Sequence, residues 1–264
     1  MNLDLKHPMA FVPTMGALHP GHQSLIKIAK THAPNILVSI FVNPLQFENP
    51  IDLEKYPRDL AGDIEKAEGA GATFVWAPTV EEIYPDQPQI ISAGELGNKF
   101  EGVHRFGHFD GVLTVVKRLF DLTAPEFAIF GEKDFQQLFL IKRMVRDLNI
   151  PIEIITAPII RERDGLAMSS RNVRLSEKGR NAALVISRAL SGAATQQNLS
   201  AARKALHETL ASEKSFALDY AEIIDADTFE LATESTMKPR ALVAGWVEDV
   251  RLIDNMAMKP GAGI

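Results

Sequence analysis

The chain reads as an α/β protein in which a parallel sheet is followed by a smaller α+β unit. Two observations carry this expectation. Short apolar runs alternate with amphipathic helices up to about residue 160, the rhythm of strands joined by helical crossovers. Beyond that point the alternation stops, and two helices are followed by strands with no helices between them. The length of 264 residues suits one or two domains and is enough to bury a large core without disulfides or metals.

The elements follow in order. Met9-Ala10-Phe11-Val12-Pro13 reads as a buried strand, and a helix starts at His19 with Leu25, Ile26 and Ala29 at helical spacing. The most apolar run, residues 36–42, is the second strand; a helix over 58–70 and the strand Thr73-Phe74-Val75-Trp76 come next. A polar, glycine-rich segment over 85–111 precedes a helix at 112–122, a strand at 127–130 and a helix at 134–148. After Pro158-Ile159-Ile160 comes the polar stretch Arg161-Glu162-Arg163-Asp164-Gly165, which sets the expected domains at 1–160 and 161–264. The second part has helices at 181–192 and 201–211 and strands at 218–224, 241–246 and near 250–253, ending in a frayed Lys259-Pro260-Gly261-Ala262-Gly263 tail.

Composition narrows the function classes. With no cysteine there is no thiol nucleophile, disulfide or cysteine-ligated metal. No apolar stretch approaches the 18 or so residues of a membrane span, and Met1-Asn2-Leu3-Asp4-Leu5-Lys6 lacks the basic and apolar regions of a signal peptide, so the expected location is cytoplasmic. A net charge of −6 argues against general nucleic-acid binding. There is no Gly-x-x-x-x-Gly-Lys-[Ser/Thr] loop, His-Glu-x-x-His helix or Gly-x-Ser-x-Gly elbow.

What the chain has instead is Pro13-Thr14-Met15-Gly16-Ala17-Leu18-His19-Pro20-Gly21-His22, a strand joined to a helix by a turn with two histidines three apart. A helix start offers unpaired N–H groups and partial positive charge, so this turn is expected to hold phosphates between two imidazoles; a plain helix cap is the other reading. Asn43-Pro44-Leu45-Gln46-Phe47 follows the second strand, and the amides of Asn43 and Gln46 suit a hydroxy acid. Gly131-Glu132-Lys133-Asp134-Phe135-Gln136-Gln137 also joins a strand to a helix. There Gly131 permits close approach, Lys133 can neutralise phosphate, Asp134 can hold magnesium, bond a ribose hydroxyl or cap the helix, and Gln137 lies one turn on from Lys133. Met168-Ser169-Ser170-Arg171-Asn172 offers two hydroxyls and a guanidinium to an anion, and Glu101-Gly102-Val103-His104-Arg105-Phe106-Gly107-His108-Phe109 is a basic loop read as an active-site edge.

Taken together and in this order, with Tyr56-Pro57-Arg58 and Leu252-Ile253-Asp254-Asn255, these motifs resemble the pantothenate synthetase (pantoate–β-alanine ligase) family of His-x-Gly-His nucleotidyltransferases. The resemblance spans nearly the whole chain. It implies a Rossmann-like, doubly wound parallel sheet with a smaller α+β C-terminal lid domain, a homodimer, and an ATP-dependent ligase that joins pantoate to β-alanine through a pantoyl adenylate. By the same resemblance Met15, Gly16, Ala17, Leu18, His19, Pro20, Gly21 and His22 form the ATP turn, with His22 a proton donor, and Gly131, Glu132, Lys133 and Asp134 form a second ATP segment. Ile160 matches an adenine contact, Met168, Ser169, Ser170 and Arg171 a closing phosphate loop, Gln46 a residue shared by pantoate and β-alanine, and Gln137 a second pantoate contact. His19, His22, Lys133, Arg171 and Mg²⁺ share the developing charge. The chain departs from the family pattern in beginning eight residues before Met9 and in carrying Phe106 in place of a proline. Two other readings remain at this stage, an AMP or CMP transferase acting on a phosphate acceptor and a nucleotide-sensing regulatory domain.

Overall fold

The computed structural model describes residues 5–47, 53, 54 and 56–259; the expected frayed end beyond Lys259 lies outside them. The chain divides into two compact units, Met1–Ile159 and Ile160–Ile264.

In the first unit five parallel strands line up in the order β3-β2-β1-β4-β5, with β1 at Met9–Thr14, β2 at Asn35–Ile40, β3 at Phe74–Trp76, β4 at Phe127–Gly131 and β5 at Glu153–Ala157. The period of two along β1 sends Met9 and Phe11 into one core and Ala10 and Val12 into another, so both faces of the sheet are covered. Helices α1 (Pro20–Ala29) and α2 (Leu60–Ala70) contribute Ile26, Ala29, Ala67 and Ala70 to the second core. The first core takes Ile83 from the short helix α3 (Val80–Ile83), and apolar stripes from α4 (His108–Thr123) and α5 (Phe135–Asp147). This is the parallel sheet that the alternation predicts, doubly wound as the family resemblance implies.

Two differences from the sequence expectation have local causes. Helix α4 begins at His108, four residues before the apolar periodicity starts, because Gly107 takes a left-handed φ of +70° and starts the helix from the polar side. The sequence pattern does not predict strand β5 at all. It is a five-residue edge strand whose Ile154, Ile155 and Thr156 are only half-buried, so it shows neither a long apolar run nor clean alternation.

The chain runs outward from β1 to β3 on one side of the sheet and continues with β4 and β5 on the other. The direction of winding reverses between β1 and β4, and crevices at such reversals, beyond the carboxyl ends of the strands, are where open α/β sheets bind ligands.

The second unit is an antiparallel sheet of β6 (Phe216–Asp225), β7 (Pro239–Val247) and β8 (Val250–Ala257), packed on helices α6 (Glu177–Ala194) and α7 (Leu199–Ala211) around its own core. Ser176 caps α6 through the N–H of Gly179 at 3.0 Å, which moves its start four residues ahead of position 181.

Candidate active site

The loop after β1 doubles back through two left-handed residues, Gly16 at φ +82° and Ala17 at φ +51°. A Cβ on Gly16 would stand 2.8 Å from Asp63 Oδ2 and 3.3 Å from Ile40 Cγ2, so only glycine fits. Asp63, buried in the first turn of α2, accepts the N–H of Ala17 at 2.8 Å through Oδ2 and that of Leu18 at 2.7 Å through Oδ1. Sequence reasoning passed over Asp63, because an acidic residue in a first helical turn usually only complements the helix dipole.

The two histidines cap α1 reciprocally. His19 Nδ1 accepts from Gly21 N–H at 3.1 Å, and His22 Nδ1 accepts from His19 N–H at 3.3 Å. The imidazoles are therefore caps, and donors that a helix start leaves open are bonded to them. The capping also fixes the chemistry, since an accepting Nδ1 carries no proton and each ring's N–H sits at Nε2. The rings lie with centroids 4.1 Å apart. His22 keeps some accessible surface, yet desolvation by its packed surroundings, reinforced by His19 and Lys133 and opposed by Asp134, pushes its imidazole down to about 3. At neutral pH it is an uncharged N–H donor rather than a cation.

The segment after β4 lies on this side of the sheet, because β4 adjoins β1 and its end at Gly131 packs on Leu25 of α1. Gly131 ends the strand, and a Cβ there would meet only Leu25 Cδ2, at 3.7 Å. A 3-10 turn over Glu132–Asp134 then leads into α5, with Lys133 Nζ 3.6 Å from Asp134 Oδ1. The half-exposed Asp134 carboxylate makes no capping hydrogen bond at the start of α5, so the cap reading of that residue is not realised.

The turn after β2 completes the set. Asn43 is 1 % exposed and its amide is fully used internally. Its Oδ1 accepts from Leu45 N–H at 3.3 Å and Tyr84 O–H at 3.0 Å, while Nδ2 donates to Gly111 O at 3.0 Å and Gln46 Oε1 at 3.3 Å. Asn43 thus positions its neighbour instead of presenting its own amide to a hydroxy acid, a correction to the sequence reading. Because a backbone N–H and a backbone carbonyl orient the Asn43 amide, Gln46 must turn its Nε2 the other way, where it donates to Met15 Sδ at 2.7 Å. That contact joins the β2 turn to the β1 turn. Gln137 lies partly exposed on α5, with no hydrogen bond to its amide among the described residues, whereas the adjacent Gln136 is buried and tied to Leu96 O, Lys99 O and Glu101 N–H. In the basic loop His108 is buried with Nδ1 3.0 Å from Gln46 O, and Phe106 is 78 % exposed.

In the second unit, Ile160 and Met168 are brought together by a tight hairpin. Met168 N–H donates to Ile160 O at 2.9 Å, Arg161 bridges to Ala167, and Gly165 turns the chain at φ +96°. The Asp164-Gly165 pair is a hairpin signal that the sequence reading passed over. Ser169 Oγ caps the turn Ser170–Arg174 through Arg171 N–H at 3.2 Å; Ser170 is partly exposed, and the exposed Arg171 reaches Arg251 O at 3.3 Å. Buried Asn172 anchors the loop to Glu162 at 2.8 Å and Ala167 O at 3.0 Å, and Arg180 clamps Glu162 and Asp164 at 2.6 and 2.7 Å. The guanidinium bonds hold both carboxyls below the usual carboxylate range against the opposing effect of their partial burial.

Comparison with known proteins identifies the family. The family profile described as Pantoate-beta-alanine ligase matches residues 2–257. A pantothenate synthetase of Acidothermus cellulolyticus is 46 % identical over 97 % of this chain and 87 % of its own length. The solved pantothenate synthetase of Thermus thermophilus superposes with a TM-score of 0.92 at 42 % identity, covering 97 % of this chain and 96 % of that one. A Francisella tularensis pantoate-beta-alanine ligase, solved with beta-gamma ATP and beta-alanine, gives a TM-score of 0.77 at 37 % identity, with coverage of 97 % and 91 %. The chain therefore belongs to the pantoate-beta-alanine ligase family.

Proposed function

We propose that the protein condenses pantoate with β-alanine at the expense of ATP, releasing AMP and pyrophosphate. The observation that carries this reading is the meeting of three strand ends: the capped imidazole pair after β1, Lys133 after β4, and the oriented Gln46 amide after β2, joined to the first through Met15.

In the first step a pantoate carboxylate oxygen attacks the α-phosphorus of ATP, and the bond to the pyrophosphate oxygen breaks. In the second the β-alanine nitrogen attacks the acyl carbon, sheds a proton, and AMP leaves with the electron pair of the cleaved C–O bond. The carboxylate is already a nucleophile, so the protein's task is alignment and stabilisation of charge. His19 and His22 offer Nε2–H donors to phosphate oxygens, and growing negative charge raises the proton affinity of His22 as pyrophosphate departs. Lys133 supplies a fixed cation, and Gln46 and Gln137 donate to pantoate oxygens. Met15 to His22, Gly131 to Asp134, Ile160, Met168, Ser169, Ser170 and Arg171 are the proposed ATP-binding residues, with Arg171 directed to phosphate and the C-terminal unit acting as a lid.

Magnesium enters with ATP as part of the substrate. The ion is held mainly by phosphates and water, with a carboxylate such as Asp134 in support. No helix among the described residues is long and apolar enough to cross a membrane. A homodimer and a cytoplasmic location belong to the same reading, the latter supported by the absence of cysteine. Pyrophosphate exchange into ATP that depends on pantoate, followed by AMP release on adding β-alanine, tests the proposal; exchange indifferent to pantoate would contradict it.

A further inference from the structure

We propose that Asp63 is a positioning residue for ATP, one whose carboxylate holds the β1–α1 turn in its binding shape. The inference rests on the proposed reading of residues 15–22 as the ATP turn. Asp63 comes from a separate helix and is 1 % exposed, yet both of its oxygens are committed to consecutive backbone N–H groups of that turn, at 2.8 and 2.7 Å. One of the two residues it holds is in a disfavoured conformation: Ala17 is left-handed at φ +51°, directly after left-handed Gly16, and an alanine rarely stays there without an external partner. Two charge-assisted bonds from one rigid carboxylate supply that partner. Lys66, with Nζ 3.9 Å from Oδ1, is the neighbouring cation.

The arrangement has a consequence for recognition. Since a carboxylate occupies the Ala17 and Leu18 N–H groups, the turn has no vacant donors there for a phosphate, and it would repel one. Triphosphate is thereby directed toward the Nε2–H groups of His19 and His22 and toward Lys133, while residues 16–18 provide shape. Asp63 works through the backbone it holds and touches no reacting atom.

Asp63→Asn replaces one accepting oxygen with an amide that cannot accept a backbone N–H. In pantoate-dependent pyrophosphate exchange, KM for ATP is expected to rise about ten- to a hundredfold, the effect of losing a charge-assisted bond, while KM for pantoate moves by less than about threefold. Adding Ala17→Gly to Asp63→Asn is expected to recover about a factor of ten in KM for ATP, because glycine adopts positive φ freely. An unchanged KM for ATP, or equal rises for both substrates that Ala17→Gly does not relieve, overturns the proposal. Should Asp63→Asn fail to fold, hydrogen exchange on the wild type decides: the Ala17 and Leu18 amides should exchange at least about a hundredfold more slowly than open-loop amides without nucleotide, and open-loop rates overturn it. Lack of pantoate-dependent exchange in the wild type would refute the functional reading instead and leave the hydrogen-exchange outcome to judge Asp63.

Discussion

Acidification should destabilise the first unit through His22 in a way that one substitution removes. Burial lowers this imidazole from 6.5 to about 3, so below pH 6.5 the unfolded chain takes up a proton that the folded chain refuses. Stability is therefore lost as pH falls through 6.5 and stops falling near 3, where the folded form also protonates. Between pH 7 and pH 5 the loss is about 2 kcal/mol, from about 1.36 kcal/mol per pH unit over the interval below 6.5. Since pH 5 lies well above the folded value, the figure changes little if that value shifts by a unit. His22→Gln removes the titration but keeps an acceptor at the third helical position, where glutamine completes a capping box. The chain has two tryptophans, Trp76 buried in the first unit and Trp246 in the second, so denaturant unfolding in a Trp246→Phe background reports the first unit alone. The wild-type side chain at position 22 should lose about 2 kcal/mol more than glutamine between pH 7 and 5. Equal losses, or a His22 ring resonance that titrates near 6.5, would refute the reasoning.

Three other outcomes follow from the same geometry. Lys133→Met should leave the fold intact and lower the adenylation rate by about 10²–10³, the usual effect of removing one charge-stabilising group; single-turnover pyrophosphate release measures it, and an unchanged rate would remove Lys133 from the chemistry. Gly111→Ala would place a Cβ against the Leu45 carbonyl, displacing the Pro44–Gln46 turn. A stability loss of about 1–3 kcal/mol with a raised KM for pantoate is expected, and normal values of both would show that α4 does not set the position of Gln46. In the second unit, Asp219→Ala strips the buried Arg251 of a partner 2.6 Å away and should cost about 3–5 kcal/mol in the unfolding reported by Trp246, whereas a loss below about 1 kcal/mol would mean the guanidinium finds other compensation.

How far the sequence could be read depended on whether a feature was local. The parallel sheet was legible because strands β1 and β2 are continuous apolar runs and α5 carries a clear 3.6-residue period; β5 was not, since a half-buried edge strand obeys neither pattern. The three motifs expected just after strands, at 13–22, 43–47 and 131–137, follow β1, β2 and β4, because a residue just after a strand is placed by the sheet itself, whereas the basic loop at 101–109 follows no strand. What sequence could not give was partnership across the fold. Asn43 and Gln46 look equivalent as polar tips of one turn, and only the position of Gly111 on α4 and Tyr84 after α3 separates the one that holds from the one that is held. Asp63 lies more than forty positions from the turn it shapes. The charge state of His22 likewise depends on packing, which no spacing rule encodes.

The central claim is that the strand ends of the first unit activate pantoate as an adenylate, with His22 a neutral donor in place. The most direct measurement is pantoate-dependent exchange of labelled pyrophosphate into ATP, comparing wild type with His22→Ala at pH 7. The account predicts exchange in the wild type only when pantoate is present, and a fall of about 10²–10³ in the folded variant. Undiminished exchange in folded His22→Ala, or wild-type exchange without pantoate, would contradict it.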